Sequence, residues 1–127
     1  MRKNVSSLDI AMIKDVLSQQ HVLNFFRLQL HSEDIRFEVR RSIFDKIEID
    51  CRYYNRELDY QDKYSFVVDL NDRSFCNVSI ILEGLYNGND LYTLLQLQRI
   101  LENQIDVAMQ KSADCKNTQR RHSKIRN

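Results

Sequence analysis

Two carboxylates, Glu48 and Asp50, stand two residues apart. On a strand that spacing puts both on one face. Paired carboxylates do general acid–base work where a sheltered site separates their pKa values. Lys46 and Arg52 flank this pair in the same alternation, which reads as the solvated, charged face of a half-buried sheet. Asp59, Asp62, Asp69 and Asp72 lack the regular spacing and sharp glycine turn of a calcium loop, and read as loop and turn residues. His21, His31 and His122 form no HxxxH pattern and adjoin no CxxC, so the spacing that zinc ligation needs is missing. Cys51, Cys76 and Cys115 are odd in number and far apart, which suits reduced thiols rather than a disulfide framework. No GxSxG elbow occurs. These residues point away from an enzyme and from any metal, cofactor or small-molecule substrate.

The elements that carry them are read from periodicity. Ser6 and Asp9 make a variant capping box for a helix over 6–18, with Leu8, Met12 and Val16 on one face beside Ile13 and Leu17. Residues 22–30 fit either helix or strand, and Phe25, Phe26, Leu28 and Leu30 are expected in the core either way. The period then becomes two. Ile35, Phe37 and Val39 alternate with charged residues, as do Ile47, Ile49, Cys51 and Tyr53. Cross-strand charge pairing favours Glu38 opposite Lys46 and Arg36 opposite Glu48. A polar loop is expected over 55–62. A third strand follows with Tyr64, Phe66, Val68 and Leu70 on one face, then a turn at Asn71-Asp72-Arg73. The fourth strand, 74–82, places Cys76, Val78, Ile80 and Leu82 inward, and Gly84 ends it.

A long helix starts near Asn89 or Asp90, either of which can cap it, and runs to about Gln110. Leu91, Leu94, Leu95, Leu101, Ile105, Ala108 and Met109 form its apolar side. Leu97, Ile100 and Val107 widen that stripe beyond what one sheet needs, and are the candidate partner interface. The fold class is therefore α+β: a two-layer domain with an antiparallel sheet of three to four strands, an N-terminal helix and a long C-terminal helix.

Composition agrees with one domain. The chain has 127 residues, 43% of them hydrophobic, which suits a globular protein. Residues 1–110 form the domain. Residues 111–127 carry six Lys/Arg against Asp114, a net of +5, and read as a flexible basic tail on a body of −4. Arg120, Arg121, Lys124 and Arg126 are the tail's candidate contacts for nucleic acid, which makes a nucleic-acid-associated adaptor the alternative reading. The tail has no interleaved aromatics for base stacking. No signal peptide or membrane-spanning run is expected, so the protein is read as intracellular.

The stretch Tyr64-Ser65-Phe66-Val67-Val68-Asp69-Leu70-Asn71-Asp72-Arg73, continued by Phe75 and Val78, resembles a kinetochore motif. That motif is a strand of the form aromatic-Ser-Phe-apolar-apolar-Asp running into an Asp-Arg-aromatic turn. Leu85-Tyr86-Asn87-Gly88-Asn89-Asp90-Leu91-Tyr92, with Leu94, Leu95 and Arg99, is similar to the last helix of the same family. LNFFRLQL followed by DIRFEV is similar to its first helix-to-strand entry. The family is the C-terminal RWD-like head of the spindle-pole-component subunit "twenty-five" of the Ndc-eighty complex, or another kinetochore RWD-type domain. The resemblance covers about 22–107. It implies a non-enzymatic nuclear subunit that pairs with a second RWD-type chain as a heterodimer. The paired heads would link microtubule-binding machinery to centromere receptors in chromosome segregation. The family's long coiled coil and the prolines after its last strand are not found here, and the basic tail is not part of its pattern.

Overall fold

The computed structural model describes residues 5–56, 59–71, 75–81 and 91–125. Helix α1 (Ser7–Ser18) begins at Ser6, whose side chain accepts the Asp9 amide while the Asp9 carboxylate accepts the Ser6 amide. The expected capping box is thus in place. Helix α2 (Gln20–Leu30) follows after a break at Gln19, so 22–30 is helical. His31 ends it in the left-handed conformation, φ 51°. Strands β1 (Ile35–Arg41), β2 (Ile47–Asn55), β3 (Tyr60–Asn71) and β4 (Phe75–Ile81) form an antiparallel meander in sequence order. Helix α3 (Leu91–Ile125) is the last described element. The two-layer α+β reading holds.

All three helices cover one face of the sheet. Val16, Val22, Phe26, Ile47, Ile49, Phe66, Val68, Leu97, Leu101 and Ile105 meet there, essentially without exposure. Phe26 sets its edge against the rings of Phe37 and Phe66, 5.0 and 6.3 Å away. The inward strand residues are those the alternation marked: Tyr64, Phe66, Val68, Cys76 and Val78 are buried, and Leu70 and Ile80 are half-buried. Leu8 and Leu28 are not core residues, being 81% and 69% exposed. The inner side of α1 is instead made by Ile13, Val16 and Leu17.

The hairpin register also differs. Glu38 faces Asp50, Arg36 faces Arg52 and Arg40 faces Glu48. The shift is an even number of residues, so every side chain keeps its face. The turn fixes it. The Ser42 amide donates to the Lys46 carbonyl, the Ser42 Oγ accepts from the Phe44 and Lys46 amides, and Asp45 takes φ 57°. Farther along, the polar loop expected over 55–62 is shorter. Residues 60–62 belong to β3, because the buried Tyr53 hydroxyl donates to the Asp62 carboxylate directly across the ladder, at 3.0 Å. The expected turn at Asn71-Asp72-Arg73, the inward Leu82, the break at Gly84 and the cap at Asn89 or Asp90 involve residues outside those described.

One further interaction sets the position of α3. Edge strand β4 turns the polar groups of Cys76 and Val78 away from β3, and α3 takes them up. The Cys76 amide donates to the Asp106 carboxylate at 2.8 Å, and the Val78 amide donates to Glu102 at 3.0 Å. The Val78 carbonyl accepts from Gln98 Nε2 at 2.6 Å. Residues 98, 102 and 106 are four apart. Four helical residues rise about 6.0 Å and two strand residues about 6.6 Å, so the step from Asp106 to Glu102 matches the step from Cys76 to Val78. The helix thereby stands where a fifth strand would pair.

Helix α3 also continues past Gln110 to Ile125, where an aperiodic tail was expected. Residues 111–125 hold no proline or glycine, so propagation meets no breaker. The expected division at residue 110 therefore falls inside a helix.

Replacing Glu102 and Asp106 together by alanine leaves two strand amides without acceptors. Unfolding in urea should lose about 2 kcal/mol, the low end for two partly buried donors. The curve should shift to lower urea at unchanged slope. The Glu102→Gln change, which keeps an acceptor, should cost less.

Candidate interaction surfaces

The outer face of the sheet carries the charges. Its cross-strand rows are Arg36–Arg52–Lys63, Glu38–Asp50–Ser65 and Arg40–Glu48–Val67. Like charges directly opposite one another destabilise a ladder, and here opposite charges, across the ladder and on its diagonals, offset them. Arg52 reaches Glu38 at 3.5 Å, and Arg40 reaches both Glu48, at 2.7 Å, and Asp50, at 2.6 Å. Lys46 lies 3.8 Å from Asp69.

Asp50 departs from the solvated-face reading. Its side chain is 1% exposed, covered by Arg40 and bonded to Ser65 Oγ at 2.8 Å. Burial alone would push its pKa up. The hydrogen bonds from Ser65 and Arg40, with the charges of Arg40 and Lys63, outweigh that and hold it below the usual carboxylate range. An ionised carboxylate with its oxygens already engaged is poorly placed to take or give a proton near neutral pH. Glu48 stays partly exposed on the same guanidinium.

The remaining candidate chemistry is dispersed. Asp59 accepts from the Tyr54 hydroxyl, Asp62 from Tyr53, and Asp69 faces Lys46. Asp72 lies outside the described residues. His21 meets Gln104 across the α2–α3 contact at 2.8 Å, and His31 caps α2. No group of three or more His, Cys, Asp or Glu among the described residues is arranged to hold a metal ion. Cys51 and Cys76 are buried and free. Burial raises both thiols, and Cys76, beside Asp106, is pushed up to about 12, so neither favours the reactive thiolate.

The candidate interface on α3 is rearranged. Leu97 is fully buried, so it belongs to this chain's own core and not to a free flank. Ile100 is half-buried and packs against that core. Val107 is 43% exposed. Between and beside Ile100 and Val107 the outward ridge is polar, with Gln96, Asn103 and Gln110. The exposed apolar residues cluster at the helix start instead: Leu91 at 59%, Tyr92 at 67% and Leu95 at 42%. The sequence pattern places Leu91 and Leu95 on the buried side, and the structure exposes both. Of the basic residues, Arg120, Arg121 and Lys124 fall within the backbone of α3, and Arg126 lies outside the described residues.

Periodicity missed two other features. The β1–β2 turn exposes Ile43 at 93% and Phe44 at 72%. Their place between Ser42 and Asp45, at the junction of two alternating runs, was the available signal. The other feature is the outer edge of β1, which no strand among the described residues pairs and which only the strand order reveals.

No family model matches this chain, and neither the curated proteins nor the solved structures contain a match. Among the described residues no helix is long and apolar enough to cross a membrane.

The depressed Asp50 pKa gives a signed pH dependence. The contribution of the charged side chain is present above the ordinary carboxylate range and is lost as pH falls through the folded-state value. At pH 7 the Asp50→Asn variant should be less stable by about 1–2 kcal/mol, a charged-hydrogen-bond value discounted because Arg40 is half-exposed. Chemical denaturation at descending pH should show that gap closing below the carboxylate range.

Proposed function

We propose that this chain is a non-enzymatic protein-interaction domain that docks a partner on α3. The observation that supports the reading is the contrast between the helix's two sides. The inner side is fixed by the core and by the bonds to β4. The exposed start presents Leu91, Tyr92 and Leu95 within about one turn. Aromatic and aliphatic anchors on a rigid helix are the usual centre of a helix-mediated interface.

The kinetochore assignment rests on the sequence resemblance over 64–73 and 85–99. On that reading the partner is a second RWD-type chain. The pair links microtubule-binding machinery to centromere receptors during chromosome segregation.

Co-purification with the RWD-type head of the sister subunit "twenty-four" tests this. A one-to-one complex is expected, weakened at least ten-fold by Tyr92→Ala with Leu95→Ala at unchanged circular dichroism. That loss corresponds to about 1.4 kcal/mol. Absence of a complex with every kinetochore RWD-type chain overturns the assignment.

A second reading draws on the basic segment. A segment with a net of +5 over 111–127, helical in backbone to Ile125, suits an adaptor that touches nucleic acid through phosphate contacts. Binding to duplex DNA should then be weak and fall steeply with salt, and deleting 112–127 should abolish it. Affinity unchanged by that deletion rejects the adaptor.

A further inference from the structure

The two edges of the sheet are treated differently. The β4 edge is closed by α3. Among the described residues the β1 edge has no counterpart. The Ser42 amide bonds the Lys46 carbonyl, so the even-numbered residues of β1 exchange hydrogen bonds with β2. By the alternation of antiparallel ladders, Ile35, Phe37 and Val39 turn their amides and carbonyls outward. Among the described residues no backbone group meets them. Their side chains are only half-buried on the inner face. Native sheets seldom leave such an edge open.

From this edge we infer that the chain forms a homodimer by antiparallel β1–β1′ pairing, with the two-fold axis at Phe37. Outward groups require odd residues to face odd residues, which leaves a short set of registers. Centring on Glu38 would set Glu38 against itself and Arg36 against Arg40. Centring on Arg36 would set two arginines together and Asp34 against Glu38. Centring on Phe37 sets Arg36 against Glu38 of the second copy, Glu38 against its Arg36, and Asp34 against its Arg40. The same register places Ile35 against Val39 and Phe37 against Phe37 on the apolar face, where the half-buried rows are completed. The charge lattice of the outer face, in which Glu38 already meets Arg52, runs on across the axis.

The exposed apolar residues fit this register. Counting along it, the Ile43–Phe44 tip of one copy reaches the C-terminal end of α2 in the other. Leu28 is exposed there, one turn before the His31 cap. With α3 bonded to the β4 edge at Cys76 and Val78, a two-fold β1 contact uses the edge that no described element pairs, and growth stops at two copies. This surface is separate from the exposed start of α3, and the dimer stands or falls independently of the function proposed above.

Sedimentation equilibrium of the full chain over a concentration series tests the inference. Wild type should approach twice the 15.2 kDa of one chain. Arg36→Glu alone and Glu38→Arg alone should each weaken self-association at least ten-fold, since each makes two like-charge pairs. Mixed one-to-one, these variants regain complementarity at both positions and should dimerise again. Both residues are exposed, and circular dichroism should show each variant folded. A wild type that stays monomeric at all concentrations overturns the inference. So does a dimer that both single reversals leave intact, or one that mixing fails to restore.

Discussion

The hydrogen bonds that Gln98, Glu102 and Asp106 make with the backbone of β4 determine how the rest of the molecule is arranged. A long helix with apolar residues around more than half its circumference can roll on a sheet without losing much burial. Gln98, Glu102 and Asp106 stop that rolling by binding specific backbone groups of Cys76 and Val78. Hydrogen bonds from backbone amides to carboxylates are among the stronger polar contacts available. Once they are made, Leu94, Leu97, Leu101, Ile105 and Met109 face the sheet, while Leu91, Tyr92, Leu95 and Val107 stay outside. The polar line thus decides which apolar residues are core and which are surface.

The opposite face of the sheet shows charge used structurally. Arg36 opposite Arg52 and Glu38 opposite Asp50 look unfavourable when only direct neighbours are counted. Arg52 instead reaches Glu38, and Arg40 reaches Asp50, each diagonally across the ladder. Arg40 lies over Asp50 and excludes water from it, although no element packs on that face among the described residues. A carboxylate there is as enclosed as a core residue, yet it stays charged because Ser65 and Arg40 replace its hydration.

Much of the fold is written in the local pattern. The alternation of Ile47, Ile49, Cys51 and Tyr53, the capping pair Ser6 and Asp9, and the leucine-rich run after Leu91 each specify an element through contacts within a few residues. What escapes is set by distant partners. The register of β1 on β2 depends on how Ser42 and Asp45 shape a turn, which charge pairing between Glu38 and Lys46 could not reveal. The burial of Leu97 beside the exposure of Leu95 depends on the helix rotation fixed from β4, at least twenty residues away in sequence. Of the candidate interface, Val107 alone is clearly at the surface, while Tyr92 and the β1 edge emerge only once strand order and helix rotation are known.

The meander also has a consequence for the chain as it leaves the ribosome. Each strand pairs with the one before it, so the ladders can close in the order of synthesis. Such local topology favours rapid folding. The outward amides of β4, however, wait for residues 98–106. At a synthesis rate of about 5–20 residues per second, that wait lasts about one to five seconds after Val78 is made. During it the nascent sheet is unprotected along both margins, and neighbouring chains on one messenger present the same strands to each other. For the β4 margin that exposure ends when the helix arrives.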